Sequence, residues 1–388
     1  MKILFISSRL PFPPTGGDKL RVFHFIRVLS CKHEIHLLSF VENEEEKKYA
    51  QDLRQFCKSV ETVLLKPVES YRNCLLSSFS INPQQLAYYR SSKMRIKTKE
   101  IIEKYKIDAV YAHLIRMAPY VQDLKIFKVL DLTDAISLSL KRSLPYRKHI
   151  SKLYYFLEYL RVKRYEEKII EYFDKSLLIS NTDVDAIKGA KESKKIELVQ
   201  NGVDLENLKP MEKCDNKKIA FVGNLHSFPN RDAVWFFYNE VLPLVKKEIP
   251  DIKFYVIGIN PPPNIQELNK DANVVVTGPV DNLRETLGDS ACFVCPIRNG
   301  AGLQNKILEA MSLGIPVVTT SIGFEGIRAE KDKDILVADK PVDFAGKIIE
   351  ILKNKELREV LSKNARLVIE KNYSWDVIKT ELERIFAI

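Results

Sequence analysis

The feature that most restricts the fold of this chain is a repeating beat of short apolar, β-branched runs separated by longer amphipathic stretches. In the first half the runs are KILFIS (2–7), HEIHLLSF (33–40), VETVLL (60–65), IDAVYAH (107–113), FKVLDL (127–132), KSLLIS (175–180) and IELVQN (196–201). Helical apolar spacing runs from Asp18 to Ser30 and through EEEKKYAQDLRQF after the second run. A polar stretch, KPMEKCDNKK (209–218), precedes a second series: KIAFVG (218–223), KFYVIG (253–258), ANVVVTG (272–278), CFVCPI (292–297), PVVTTS (316–321) and DILVA (334–338). The spacing predicts helices at 231–247, 282–287, 304–313 and 341–353 between them. Strands that alternate with helices of this length build βαβ units and parallel sheets. The pattern therefore predicts an α/β chain of two doubly wound, Rossmann-like domains, 1–205 and 206–365. A C-terminal helical segment, 366–388, is expected to cross back to the N-terminal domain.

Composition narrows the class further. Hydrophobic residues make up 45% of 388, which excludes wholesale disorder. No apolar run approaches the roughly 20 residues needed to cross a bilayer. The opening MKILFISSRLPFPP lacks a small-residue cleavage site and reads as a first buried strand. The expected location is cytoplasmic. Six cysteines form no disulfide framework at this length, and the Cys292/Cys295 pair lies inside an apolar run, where buried strand thiols outweigh a metal site. The formal charge of +10 is unevenly divided. Residues 1–210 hold 37 Lys+Arg against 26 Asp+Glu, a net of +11, and residues 211–388 hold 24 against 25, a net of −1.

The most informative stretch is RNGAGLQNKILEAMSLGIPVVTTS, 298–321. A strand ends just before it, a glycine-bearing turn follows, and a helix from about Leu303 to Leu313 is closed by Gly314 and Pro316. Gly300 and Gly302 let backbone approach a ligand, and the helix N-terminus offers N–H groups and a positive dipole end to a phosphate. Lys306 can add a full charge one turn in. Glu309 lies on nearly the same face, where a carboxylate accepts hydrogen bonds from ribose hydroxyls. A capped core helix with Lys306 and Glu309 as a surface pair is the bland alternative.

The run GLQNKILEAMSLGIPVV resembles the donor-binding signature of GT-B glycosyltransferases of family 4. PFPPTGGDKLRVFHFIRVL (11–29), LVQNGVDLENL (198–208), FVGNLHSFPNRDAVWFF (221–237) and RNGAGLQNKILEAM (298–311) resemble a bacterial subgroup of exopolysaccharide and exosortase-associated sugar transferases. The resemblance implies two Rossmann-like domains facing across a cleft, the first binding acceptor and the second a nucleotide sugar. It places Glu309 on the nucleotide ribose. The usual E-G-F-G of the family is replaced here by Arg298, Asn299, Gly300, Ala301 and Gly302, so the first Glu is absent and Arg298 or Asn299 stands in its place. Leu303, Gln304 and Asn305 complete the lengthened donor turn.

Further candidates follow from position and resemblance together. Gly16 and Gly17 sit between the first strand and the helix opening at Asp18, where open α/β sheets bind ligands. In the family this loop faces donor phosphates and acceptor, and Lys19 and Arg21 can meet anionic groups, with solvation as the alternative for Arg21. His113 ends its strand at the carboxyl edge and resembles the family's His at the donor sugar; a structural His is the alternative. Asp131 and Asp134 end the next strand. Asp134 can bind acceptor hydroxyls or act as a base, or serve as a helix N-cap. Asn201–Gly202 matches the family's hinge turn. Gly223 and Asn224 follow strand KIAFV, and Gly278–Pro279–Val280 resembles the segment whose backbone reads the nucleobase. Arg231 is a possible substitute for the Arg that other members use on the β-phosphate, with Lys306 the better-placed cation.

No D-x-D motif occupies a suitable loop (DVD at 183–185 falls at a helix start), and the resemblance implies a metal-independent enzyme without a cofactor. Lys306, Arg298 and helix dipoles are expected to neutralise the diphosphate. The implied activity is retaining transfer of a sugar from a UDP- or GDP-linked donor to a glycan or a polyprenyl-diphosphate-linked acceptor, in bacterial surface polysaccharide synthesis. Two alternatives remain open: a nucleotide-sugar epimerase on the same fold, and a non-enzymatic protein using the basic half for binding. Nucleic acid is not expected as a partner, because aromatics sit in core elements instead of among basic residues. The segment 141–172 mixes ten Lys/Arg/His with Tyr154, Tyr155, Phe156, Tyr159 and Tyr165. It predicts peripheral binding to the anionic inner face of the plasma membrane, with a packed domain helix as the alternative.

Overall fold

Residues 1–187, 189–190, 193–211 and 214–387 are described by the computed structural model, and among them thirteen strands build two sheets. The chain divides into two units. One holds Met1–Gln200 and the residues from Ile378 onward, and the other holds Asn201–Val377.

In the first unit the strands are β1 (Lys2–Ser7), β2 (Glu34–Val41), β3 (Ser59–Leu64), β4 (Ala109–His113), β5 (Phe127–Thr133), β6 (Lys175–Leu178) and β7 (Ile196–Leu198). They pair in parallel in the order β3-β2-β1-β4-β5-β6-β7. Helices cover both faces, so the strands are apolar throughout instead of alternating; Ile3, Leu4, Phe5 and Ile6 are all buried. Four helices matter below: α1 (Gly17–Leu29), α2 (Pro67–Leu76), α3 (Ser92–Tyr105) and α4 (His149–Ile169).

The second unit repeats the winding with β8 (Asp215–Val222), β9 (Lys253–Ile257), β10 (Val274–Gly278), β11 (Ser290–Cys295), β12 (Val317–Thr319) and β13 (Leu336–Val337), in the order β10-β9-β8-β11-β12-β13. Its helices include α5 (Phe228–Phe236), α6 (Asn305–Ser312), α7 (Pro341–Lys353), α8 (Lys355–Asn372) and α9 (Trp375–Ile385). From Ile378 onward α9 belongs to the first unit. There Glu383 pairs with Lys32 at 2.7 Å, Arg384 with Glu197 at 2.9 Å, and the Phe386 ring lies 6.3 Å from that of Phe127.

Every strand expected from the apolar runs is present, with ends moved by a few residues. Two helices differ. The stretch 231–247, expected as one helix, is α5, then a π-helical turn at Phe237–Val241, then a short helix Leu242–Glu248. Pro243 has no N–H for the preceding turn, and the widened turn absorbs the missing bond. The acidic stretch after β2 is a 3₁₀ turn, Glu45–Tyr49, and only four α-helical residues, Ala50–Leu53, because one apolar anchor, Leu53, is buried there. Cys292 and Cys295 are buried in β11, where burial raises both thiol pKa values. No helix among the described residues is long and apolar enough to cross a membrane.

In each sheet the chain winds outward over three strands and then reverses, between β1 and β4 and between β8 and β11. Loops leaving the carboxyl ends at such a reversal diverge above and below the sheet, which opens a crevice for ligand. That topology brings the glycine-bearing loops of the sequence into position on their own units.

Candidate functional site

In the second unit the reversal sets the loops after β8 and β11 side by side. Gly300 and Gly302 take φ of 118° and 79°, a left-handed backbone that a side chain would strain. The turn delivers the chain to α6, whose N-cap position, Gln304, contributes no side-chain cap. The first-turn amides of α6 therefore lack the usual side-chain acceptor, the condition in which a helix end binds an anion. Asn305 accepts a hydrogen bond from Asn201 Nδ2 at 3.0 Å. Leu303 and Val280 pack against the core, leaving their backbones at the loop.

Lys306 and Glu309 share one face of α6. The ammonium of Lys306 donates to Asn230 Oδ1 and lies 4.9 Å from the Phe221 ring centroid. Burial lowers its pKa, opposed by Cys295 and Glu309. Burial pushes the Glu309 carboxyl up to about 7, with Lys306 holding it back from rising further. A cation held in low dielectric beside uncapped amides exerts a stronger field on a phosphate than the same charge in water.

Two residues of α5 organise this loop pair, and neither was singled out from the sequence. Asn230 accepts from Lys306 and donates through Nδ2 to the Asn224 carbonyl at 2.9 Å, so it ties α6 to the loop after β8. A Cβ on Gly223 would lie 2.8 Å from Asn230 Nδ2, so the glycine makes room for it. Asp232 takes Arg298 in a two-pronged bridge, Nη2 at 2.7 Å and Nε at 3.1 Å, and receives Asn299 Nδ2 at 3.3 Å. Arg298 also faces Glu240 at 3.6 Å and the Phe236 ring at 4.5 Å. Arg298, expected to help neutralise the diphosphate, is paired here with two carboxylates and braces the loop. Arg231 donates to the His226 carbonyl of its own loop at 2.7 Å. The signal for Asn230 and Asp232 was a polar run, Asn230–Arg231–Asp232, set between the apolar ends of α5.

In the first unit Gly16 is the N-cap of α1, with φ of 90°, and Gly17 its first residue. Lys19 is half-buried on that turn. Arg21 is fully buried, contrary to the expectation of a ligand contact or a solvated side chain. Its Nε donates to Asp131 Oδ2 at 2.6 Å, and the guanidinium lies 4.5 Å from the Phe25 ring. Tyr111 donates to the same oxygen. Asp131 Oδ1 accepts from Thr133 N at 2.9 Å, and Thr133 Oγ1 lies 3.4 Å from His113 Nε2. Thr133 takes φ of 64°, rare for a β-branched residue and held by these bonds. Burial pushes His113 down to about 4 despite the nearby Asp131, so its imidazole is neutral at pH 7. Asp134 is pushed up to about 7 by burial and by Asp183. It does not cap the helix Ile136–Ser143: Ala135 is the N-cap residue, and its amide donates to Asp183 at 2.9 Å.

The structure thus gathers Gly223, Asn224, Arg298, Asn299 and Lys306 around two α5 side chains, with Gly300 and Gly302 in the turn between Asn299 and α6. On the other unit it sets His113 beside Asp131 in register across β4 and β5.

Residues 216–354 match the family described as Glycosyl transferases group 1. Over 391 residues the chain is 29% identical to a 44.6 kDa protein in the cps region of Klebsiella pneumoniae, covering 96% of each. It is 24% identical to a glycosyltransferase of Methanocaldococcus jannaschii, covering 100% of this chain and 98% of the relative. Among solved structures, Anabaena HepE in complex with UDP superposes over 100% of both chains with a TM-score of 0.71 at 14% identity. The fold is that of the GT-B class, and these matches support a glycosyltransferase function.

Proposed function

We propose that this glycosyltransferase moves a sugar, with retention of anomeric configuration and without a metal ion, from a UDP- or GDP-linked donor to a glycan or polyprenyl-diphosphate-linked acceptor. The cps-region relative and the UDP-bound structural neighbour support surface-polysaccharide synthesis and a nucleotide-sugar donor. One observation carries the reading: Lys306 and Glu309 on one face of α6, directly after a turn whose glycines take left-handed φ values.

In this reading Glu309, ionised, accepts the ribose hydroxyls. The amides opening α6 and the Lys306 ammonium hold the diphosphate and stabilise the negative charge that grows on it as the glycosidic bond breaks. Asn230 is a positioning residue for Lys306, and Arg298, locked by Asp232, keeps the glycine turn in shape. Neutral His113 is suited to donate to or accept from a sugar hydroxyl, and Asp134 to receive an acceptor proton near neutral pH. The acceptor attacks from the face the diphosphate leaves, as the family resemblance implies. The enzyme acts at the cytoplasmic face of the membrane.

Incubation with radiolabelled UDP- and GDP-sugars tests this. Sugar gained by an acceptor with release of the nucleotide supports it. Lys306→Ala and Glu309→Ala should each reduce transfer by roughly 100-fold or more while leaving circular dichroism unchanged. Near-normal turnover in both variants rejects the assignment of the donor helix.

A further inference from the structure

The first unit contains a hollow of about 520 Å³ that none of the candidate site residues discussed above lines. Its walls include Arg90, Arg95 and Arg116, the residues Ser91 and Ser92 that open α3, and Tyr165 of α4. No carboxylate is among the lining residues. Arg95 lies over the Tyr120 ring at 5.7 Å and Arg116 over the Tyr89 ring at 4.9 Å, so aromatic faces hold both guanidinium groups. Arg116 also donates to Ser8 Oγ at 3.0 Å, and burial lowers its pKa. The N-terminal end of α3 adds its partial positive charge to the same wall. The Tyr165 hydroxyl is buried with no hydrogen-bonding partner among the described residues. A hollow lined by three guanidinium groups and no carboxylate, with an unmatched hydroxyl also on its wall, is suited to a polar anionic group.

The rim is of opposite character. Ser77, Ser80 and Asn82 line the hollow, and between and before them Phe79 is 100% exposed, Leu76 77%, Leu75 74% and Ile81 67%. Arg161 of α4 holds this segment by donating to the Ser78 carbonyl at 2.6 Å. An apolar rim of this extent, next to a cationic hollow of ligand size, fits an amphiphile.

We infer that the hollow seats the phosphate or diphosphate head of a lipid-linked acceptor, with its hydrocarbon chain leaving along Leu75, Leu76, Phe79 and Ile81. This rests on the acceptor part of the function proposed above and adds where on the first unit the acceptor's phosphate lies. The head is bound by charge-assisted bonds from Arg90, Arg95 and Arg116 and by the Tyr165 hydroxyl.

Calorimetric titration of the full chain tests it with three probes: farnesyl diphosphate, inorganic pyrophosphate and UDP. Farnesyl diphosphate should bind at least about tenfold more tightly than pyrophosphate, since burying even a few methylenes is worth that much. Arg90→Gln and Arg95→Gln, both at exposed positions, should each weaken it by about tenfold or more. Phe79→Ser should weaken farnesyl diphosphate and leave pyrophosphate unchanged. UDP affinity should stay constant in all three variants. Equal binding to wild type and to the Arg90→Gln/Arg95→Gln double variant would overturn the site. Equal affinities for the two phosphate probes, indifferent to Phe79, would overturn its assignment to a lipid. A chain that transfers sugar from a nucleotide donor but binds no farnesyl diphosphate overturns this inference alone. A chain that binds farnesyl diphosphate but no nucleotide supports the hollow and counts against the donor reading.

Discussion

Glu309 shows how burial turns an ordinary carboxyl into a pH-sensitive one. Burial raises it to about 7, with Lys306 opposing, against roughly 4.3 in an unfolded chain. A raised carboxyl favours the protonated native state, so its contribution to stability is complete below the unfolded value and is lost as pH rises through about 7. Wild type should therefore lose more thermal stability than Glu309→Gln between pH 5 and 8, as thermal scans of both would read. Over the same window the ionised fraction grows, and only the carboxylate accepts two ribose hydroxyls. UDP affinity should rise from pH 6 to 8 more in wild type than in Glu309→Gln; parallel profiles would remove Glu309 from the nucleotide site. The position of this residue on the helix was legible from the motif. Its state was not, because burial is a property of what packs around α6. The same holds for Arg21: nothing local distinguishes it from a solvated arginine, and it is the partner 110 residues away, Asp131, that makes it a core residue.

At the scale of elements, β-branched runs bounded by glycine, proline and polar residues identified the strands, since helices on both faces demand apolar strands and little else. Element ends and interruptions were less legible. The π turn before Leu242–Pro243 depends on one missing N–H and on how the following residues pack. The loop after β8 illustrates a tighter constraint. A Cβ on Gly258, at the end of β9, would stand 1.8 Å from the Gly223 carbonyl oxygen. No rearrangement of a flexible side chain relieves that contact. Gly258→Ala should cost at least about 1–3 kcal/mol in urea unfolding, by forcing backbone to move in a packed site. It should also weaken UDP binding, because the displaced Gly223–Asn224 turn holds Asn230, and Asn230 holds Lys306. Unchanged nucleotide affinity in a destabilised variant would separate the β8 loop from the donor site.

For the whole molecule, the uneven charge becomes informative once it is joined to shape. The first half of the chain carries the positive excess, and the same half exposes Phe79, Leu76 and Leu75 together with Ile150 and Leu153 of α4. Basic residues beside exposed apolar ones are the composition of a surface that meets an anionic bilayer, each nearby Lys or Arg contributing about 1 kcal/mol. In flotation assays the protein should rise with vesicles containing phosphatidylglycerol and remain behind with neutral phosphatidylcholine. Leu76→Ser/Phe79→Ser should reduce recovery with the acidic vesicles several-fold. Failure with both lipids would reject a membrane-facing role.

The amino-acid sequence by itself determined the two wound sheets and the glycine turns at their carboxyl edges. These follow from periodicity and from residues whose backbone preferences act locally. The tertiary structure decided which charges are free and which are committed. Arg298 answers to Asp232, Lys306 to Asn230 and Arg21 to Asp131, across 66, 76 and 110 residues of chain. It also decided that three arginines line one hollow whose lining residues include no carboxylate. Such pairings leave no periodic trace, because distant parts of the chain meet only when the cores form, and side-chain charge is then paired or isolated according to burial.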